Sequence, residues 1–210
     1  MAITPAQPLD GNGKPLAGPM ITLDGSSYPA QLVAPVDGQR TTYSAAVKGL
    51  VPASSATDIF TITGSATKTV RVTRIAITAT TTSATPAALD VLLLKRDTAN
   101  SSGTSTSPTA VAHDSANQGK DTAVVDAYTA NPTLGTLVGT ALRNSKFFQT
   151  LATFTATDFP QKDQIVWEFG NRPAQAIVVR GSAEVLAVNL AAASATATAS
   201  FDIDIEFTEE

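Results

Sequence analysis

Residues 201–207 alternate strictly between apolar and acidic side chains, and this pattern constrains the fold more than any other feature of the sequence. Phenylalanine or isoleucine occupies every odd position, and a carboxylate occupies every even one. Successive side chains of a β-strand point to opposite faces of its sheet. The segment therefore predicts a strand with one face in the core and the other in water. The acidic residues are Asp202, Asp204 and Glu206.

A period of two dominates the chain from Thr57 onward. The apolar positions switch from even numbers in 70–72 to odd numbers in 75–77, which predicts a β-bulge at Thr73-Arg74. The nearly continuous apolar run 89–94 favours a strand buried on both faces. Further strands are predicted at 122–129, 135–142, 147–156, 164–169, 175–180, 183–190 and 198–207.

Helix is not expected in this part of the chain. The alanine-rich stretch 183–199 contains valine and threonine and lacks a charged face, so it favours a hairpin of two strands. The Ser/Thr/Gly/Asn-rich stretch 100–118 predicts a long loop. About nine short strands at intervals of about 8–15 residues predict an all-β antiparallel sandwich with a jelly-roll-like arrangement.

The first 56 residues differ in composition from the rest of the chain. They hold seven of the 12 prolines and six of the 13 glycines. Proline removes a backbone donor and fixes φ, so neither a helix nor a central strand is expected to run through this segment. Apolar residues nevertheless recur in it, unlike in a disordered tail. We predict an extended arm at 1–56, ordered against its own body or a partner, and a sandwich domain at 57–210.

The composition argues against several classes of protein. The chain has no cysteine, one histidine (His113) and a formal net charge of −4. These counts argue against disulfides, thiolate metal sites, multi-histidine metal sites and nucleic-acid binding. The start lacks the pattern of a signal peptide, and the longest strongly apolar run, 91–94, is far shorter than the ~20 residues of a membrane helix. We expect a soluble protein that is made and kept inside the cell and is not an enzyme.

Two motifs carry side chains used in catalysis. His113-Asp114-Ser115 contains the residue types of a hydrolase triad. Neighbours in an extended chain point to opposite sides, and no Gly-x-Ser-x-Gly elbow occurs, so we expect a solvated loop. The even-numbered carboxylates of 201–207 are spaced by about 6.6–6.8 Å, near the ~6.5–9.5 Å of inverting glycosidases. Aromatic residues are only 6% of the chain. We therefore expect these carboxylates to form a solvated strand face. A subunit contact and an ion site are the alternative interpretations.

Three other stretches carry residue types found in binding sites. A candidate calcium-binding loop begins at Asp10-Gly11-Asn12-Gly13-Lys14. The later positions of such a loop do not carry the residues that it requires, so a turn is predicted. Lys68, Arg71 and Arg74 form a small basic cluster, which we expect to face solvent or to pair with an acidic partner. Trp167–Pro173 is expected to anchor the core, with a partner contact as the alternative. No catalytic, cofactor-binding or metal-binding residue is predicted.

Three stretches resemble small proteins of tailed bacteriophages and prophages. They are residues 53–60, 167–190 (WEFGNRPAQAIVVRGSAEVLAVNL) and 200–210 (SFDIDIEFTEE), and the resemblance covers about residues 50–210. It implies a structural virion protein of the capsid decoration (cement) or head-fibre type, assembled in the host cytoplasm. It also implies a homo-oligomer, with a trimer favoured, and the major capsid protein or other virion proteins as partners. It supplies no site residues and no cofactor.

Two other functions remain open from the sequence. A tail or fibre adhesion module would bind a host-surface glycan or receptor, and we would expect its groove in the 97–120 loop. A carbohydrate-active enzyme would use the acidic strand together with a further carboxylate and a substrate cleft.

Overall fold

The computed structural model describes residues 20–23, 26–29, 40–81, 87–149, 164–170, 175–191 and 199–210. The chain forms two compact units, Met1–Gln39 and Arg40–Glu210. In the first unit, β1 (Met20–Leu23) and β2 (Ser26–Pro29) form a two-stranded antiparallel hairpin.

The second unit is all-β in its described residues, apart from one 3₁₀ turn at Ser115–Asn117. Its strands are β3 (Thr41–Leu50), β4 (Asp58–Thr63), β5 (Val70–Thr81), β6 (Ala87–Arg96), β7 (Thr104–Thr106), β8 (Val111–Ala112), β9 (Val124–Ala130), β10 (Arg143–Gln149), β11 (Gln164–Glu168), β12 (Ile177–Val179), β13 (Val185–Leu190) and β14 (Ala199–Glu209).

These strands form two antiparallel sheets. The first, the β4 sheet, has the order β10-β6-β13-β4-β9-β7. The second, the β14 sheet, has the order β11-β5-β14-β3-β8, and β12 pairs with β5 further along the edge that β11 occupies. The pairing is nested: β3 pairs with β14, β4 with β13, β5 with β11 and β12, and β6 with β10. Successive pairs of this series alternate between the two sheets.

One hydrophobic core is shared by the two sheets. Phe147 of the β4 sheet and Phe201 of the β14 sheet are fully buried, and their rings meet edge to face at 6.5 Å between centroids. Tyr43 stacks on Phe207 at 5.6 Å. In β14 the odd positions 201–207 are buried, whereas Asp202 and Asp204 are exposed, which confirms the predicted two-faced strand. The result is a sandwich-like fold with both sheets packed on a single apolar core.

The predicted bulge is confirmed. Glu206 of β14 faces Arg74 of β5, but the next residue, Phe207, faces Val72, so Thr73 is the extra residue on β5. This insertion lets the apolar positions on either side of Thr73 face the same core.

Most of the predicted strands correspond to observed ones, with two exceptions. Those at 122–129, 164–169, 175–180, 183–190 and 198–207 correspond to β9, β11, β12, β13 and β14. The strand predicted at 135–142 is wrong. That segment is a loop with one isolated bridge at Leu137, since Gly139 adopts a φ of +67° that interrupts the extended chain. The strand predicted at 147–156 corresponds to β10, which begins earlier, at Arg143. The part of this prediction after residue 149 lies outside the described residues.

The predicted loop 100–118 is also corrected, because it contains β7, β8 and the 3₁₀ turn. β7 is an exposed polar edge strand of three residues, and β8 is an edge strand of only two residues, so neither gives a local strand signal. The hairpin predicted at 183–199 is not tested in its second half, since 192–198 lie outside the described residues, and β13 itself pairs with β4 and β6. Within the segment 1–56 assigned to the arm, β3 is a strand of the β14 sheet.

Candidate functional site

A groove of about 400 Å³ lies against the β14 sheet. Its polar lining comes from β3, β5, β14 and the segment that leads into β8, and Ala46 and Val111 add apolar surface. We call it the β14 groove. The polar lining residues are Ser44, Arg74, Thr109, Asp204 and Glu206.

Strand register places the charged residues of the groove next to one another. Glu206 lies between Ser44 on β3 and Arg74 on β5. Two residues earlier, Asp204 lies between Ala46 and Ala76. Directly opposed residues of antiparallel strands have Cβ atoms about 4.5–5.5 Å apart. The sheet thus holds two carboxylates and one guanidinium within a small area of its surface.

One of these carboxylates is also held by the bulge. The hydroxyl of Thr73 donates to Glu206 Oε1 at 3.1 Å and to the Glu206 carbonyl oxygen at 3.2 Å. The bulge that keeps β5 in register therefore also fixes the side chain of a groove residue.

The third carboxylate of the acidic strand does not line the groove. Asp202 Oδ1 accepts a hydrogen bond from the backbone amide of Gly49 at 2.7 Å. Gly49 has a φ of +66°, a left-handed conformation that glycine adopts without strain. Asp202 thus holds the end of β3, and the structure brings together only two of the three predicted acidic residues.

The hydrolase-like motif is not assembled into a triad. The Nε2 atom of His113 lies 2.7 Å from the hydroxyl of Ser44, a lining residue of the groove. The carboxylate of Asp114 instead accepts from the amide of Ala116 at 3.0 Å and caps the 3₁₀ turn. Sequence reasoning missed the Ser44–His113 pair because strand pairing creates it between residues far apart, with no local signal.

Two of the three cations of the basic cluster pair with carboxylates of the same unit. Lys68 Nζ lies 2.8 Å from the fully buried Glu209 carboxylate, and Arg71 pairs with Glu210. Burial alone would raise the pKa of Glu209, but hydrogen bonds from Lys68 and from two backbone amides lower it overall. The pKa of Glu210 is also lowered, mainly by the hydrogen bond from Arg71. Arg74, the third cation, lines the β14 groove.

Trp167 is a core residue, as predicted. Its side chain is 7% exposed, and its indole N–H donates to the Ser145 hydroxyl at 3.3 Å. The guanidinium of Arg143 lies 5.4 Å from the ring centroid of Phe169, which places a cation on the aromatic face. Residues 171–174 of this motif lie outside the described part of the chain.

A buried polar network in the β4 sheet was not predicted. Arg96 donates to both oxygens of Asp58, at 2.7 and 2.8 Å, and both residues are at most 4% exposed. Asn189 and Asn100 each donate to Asp58 as well, at 2.7 and 2.8 Å. Arg96 also donates to the Gly135 carbonyl at 2.9 Å, which ties the loop before β10 to the sheet. The network is fully hydrogen-bonded at Asp58 and is structural.

Among the described residues, no group of three or more histidine, aspartate or glutamate side chains is arranged to hold a metal ion. In the same part of the chain, no helix is long and apolar enough to cross a membrane. The stretch Asp10–Lys14 lies outside the described residues.

Comparison with known proteins gives no match. No protein-family profile, no curated protein and no solved structure is significantly similar to this chain.

Proposed function

We propose that the chain is a structural virion protein of a tailed bacteriophage, which decorates or stabilises the capsid shell. The observation that carries the proposal is the nested pairing of strands in the second unit. Four pairs, from β3 with β14 to β6 with β10, alternate between the two sheets. We interpret this order as a jelly roll, in which a long hairpin is wound into a sandwich. Jelly rolls are a common architecture of viral capsid proteins.

The chemistry of this unit suits a shell that assembles in one compartment and persists in another. The chain contains no cysteine, so its stability does not depend on redox conditions. Stabilisation comes instead from the shared apolar core and from buried hydrogen bonds such as those of Asp58. Each is independent of a cofactor.

An exposed apolar segment supports a contact with neighbouring subunits or with the shell. Leu134, Leu137, Val138 and Leu142 are 39–45% exposed and lie within nine residues of one another. Clustered exposed apolar side chains are typical of interaction surfaces. We propose that this segment, 134–142, packs against another virion subunit.

The first unit is the second proposed contact. Its described part is a hairpin of two four-residue strands, and an isolated hairpin of that size is at best marginally stable in water. We propose that this unit gains order by lying on the major capsid protein or a neighbouring copy. Repeated weak contacts on a symmetric shell then add to high avidity. By the phage resemblance we propose a homotrimer.

The proposal is tested by co-sedimentation of the purified chain with phage heads. The heads come from the phage that encodes the chain and are prepared so that they lack it. We expect saturable binding at a fixed ratio to the major capsid protein. A variant with Leu137→Ser and Val138→Ser should bind more weakly, while Val124→Ser, at an exposed valine outside the segment, should bind normally. Failure of the wild-type chain to bind any head form would contradict the capsid role.

A further inference from the structure

We infer that the β14 groove is a binding site for a neutral or amino-substituted saccharide. This inference goes beyond the structural role and does not depend on it. Its volume of about 400 Å³ falls in the ~300–1,000 Å³ range of small-ligand pockets. The groove is on the outer side of the sheet, where a bound sugar remains reachable from solvent.

The lining offers both donors and acceptors at close spacing. Asp204 and Glu206 supply carboxylate oxygens as acceptors, and Arg74 supplies guanidinium N–H groups as donors. The hydroxyls of Ser44 and Thr109 can both donate and accept. Sugar hydroxyls are themselves donors and acceptors, so neighbouring hydroxyls of a sugar ring match such a mixed set. Hydrogen bonds to charged partners are also stronger than those between neutral groups.

Apolar surface borders these polar groups. Val111 is 60% exposed, the highest value among the large apolar side chains of the described residues, and Ala46 is also exposed. A sugar ring has a C–H face as well as hydroxyls, and these two side chains offer a surface for it. This combination explains an exposed valine on the short edge strand β8.

The charge of the lining selects among sugars. Two carboxylates and one guanidinium leave an excess of one negative charge in the groove. Like charges that meet in a site oppose binding, so we expect uronic acids and sialic acids to be rejected. Neutral sugars are accepted, and a free amine on the ring would pair with Asp204 or Glu206.

Three of the polar lining residues are positioned before any ligand binds. Glu206 is fixed by Thr73, and Ser44 is fixed by His113. Asp204 lies on β14, which is hydrogen-bonded to strands on both sides. Positioning of this kind lowers the entropic cost of binding.

The site is tested by NMR titration of the full chain with methyl glycosides of glucose, galactose, mannose and N-acetylglucosamine, with glucosamine, and with glucuronic acid. We expect amide shifts at Ser44, Thr109 and Val111 with at least one neutral or amino sugar, and none with glucuronic acid. Asp204→Asn should weaken binding by about tenfold or more, since it removes a charged hydrogen-bonding partner. The matched control is Asp202→Asn, on the same strand and face but outside the groove, which should bind within about twofold of wild type.

Two results would overturn the inference. One is that none of the neutral or amino sugars shifts the groove amides at concentrations of tens of millimolar. The other is that Asp202→Asn loses binding as strongly as Asp204→Asn. If Asp204→Asn fails to fold, Ala46→Trp replaces it, because a large side chain at this exposed strand position fills the groove without entering the core. Head binding of the same variants is measured separately, so loss of sugar binding is distinguished from loss of the capsid role.

Discussion

Replacing Asp58 with alanine is expected to destabilise the second unit more than any surface substitution. The Asp58 carboxylate is 1% exposed and accepts four hydrogen bonds at 2.7–2.8 Å, two of them from Arg96. Alanine would leave the guanidinium of Arg96 buried, with its two bonds to Asp58 lost and its bond to the Gly135 carbonyl kept. Asn100 and Asn189 would each lose an acceptor as well.

The expected cost follows from the burial of the pair. Removing one partner of a buried ion pair costs about 3–5 kcal/mol, because the remaining charge stays uncompensated. A domain of about 150–250 residues loses about 2–4 °C of Tm per kcal/mol, so the Tm should fall by about 6–20 °C. Asp58→Ala together with Arg96→Met should cost less than Asp58→Ala alone, because the second change removes the stranded charge.

Urea denaturation and thermal melting of wild type, the single variant, the double variant and a control variant measure these differences. The control is Lys146→Met, which removes the Lys146–Asp90 contact at 3.1 Å, where the lysine side chain is 57% exposed. An exposed pair of this kind is worth about 0–1 kcal/mol. A cost of Asp58→Ala no larger than that of the control would refute a stabilising buried ion pair, as would a further loss of stability on adding Arg96→Met.

Three further outcomes are expected. The lowered pKa of Glu209 means that its contribution to stability is complete above the ordinary glutamate pKa of about 4.3 and is lost as the pH falls through its lower folded-state value. The Tm measured at a series of acidic pH values should fall with pH in wild type and fall less steeply in Glu209→Gln. Equal slopes of Tm against pH in the two proteins would contradict this expectation. Gly135→Ala should lower the Tm, because the added Cβ collides with the Thr98 carbonyl. In Gly119→Ala the added Cβ meets open space, so the free energy of unfolding should fall only by the cost of alanine in a left-handed conformation, about 1–2 kcal/mol. A chain of residues 40–210 should fold with a near-native Tm but bind heads more weakly than the full chain, while residues 51–210 should not fold, because that cut removes β3 from the β14 sheet. Equal head binding by 40–210 and the full chain would exclude residues 1–39 as a contact.

The strands that sequence reasoning located well are those whose own side chains carry the pattern. In β14 the alternation reports burial directly, and the change of phase around Thr73 reports the bulge. Such signals are local, because each residue faces either the core or water. By contrast, β7 and β8 are strands only because the edges of β9 and β3 accept them. β7 is wholly polar, and the two residues of β8 are too few to form a period-two pattern.

The candidate groove was predictable only in part. The acidic face of 202–206 was expected, but its division into groove and structural carboxylates was not, because Asp202 is held by an amide from β3. The sequence groups Arg74 with the cations Lys68 and Arg71 of its own segment, whereas its neighbour in the sheet is Glu206. The partner of His113 is Ser44 rather than the adjacent Asp114 or Ser115. In each case the pairing of strands distant in the sequence decides the neighbours. The period-two pattern indicates which face of a strand is buried, but it does not identify the partner strand.

The proposed virion role is tested most directly by quantitative mass spectrometry of gradient-purified particles of the phage that encodes the chain. The account predicts that peptides of this protein co-purify with the particles in a fixed ratio to the major capsid protein, at many copies per particle. Peptides present in the lysate but absent from intact particles would contradict it.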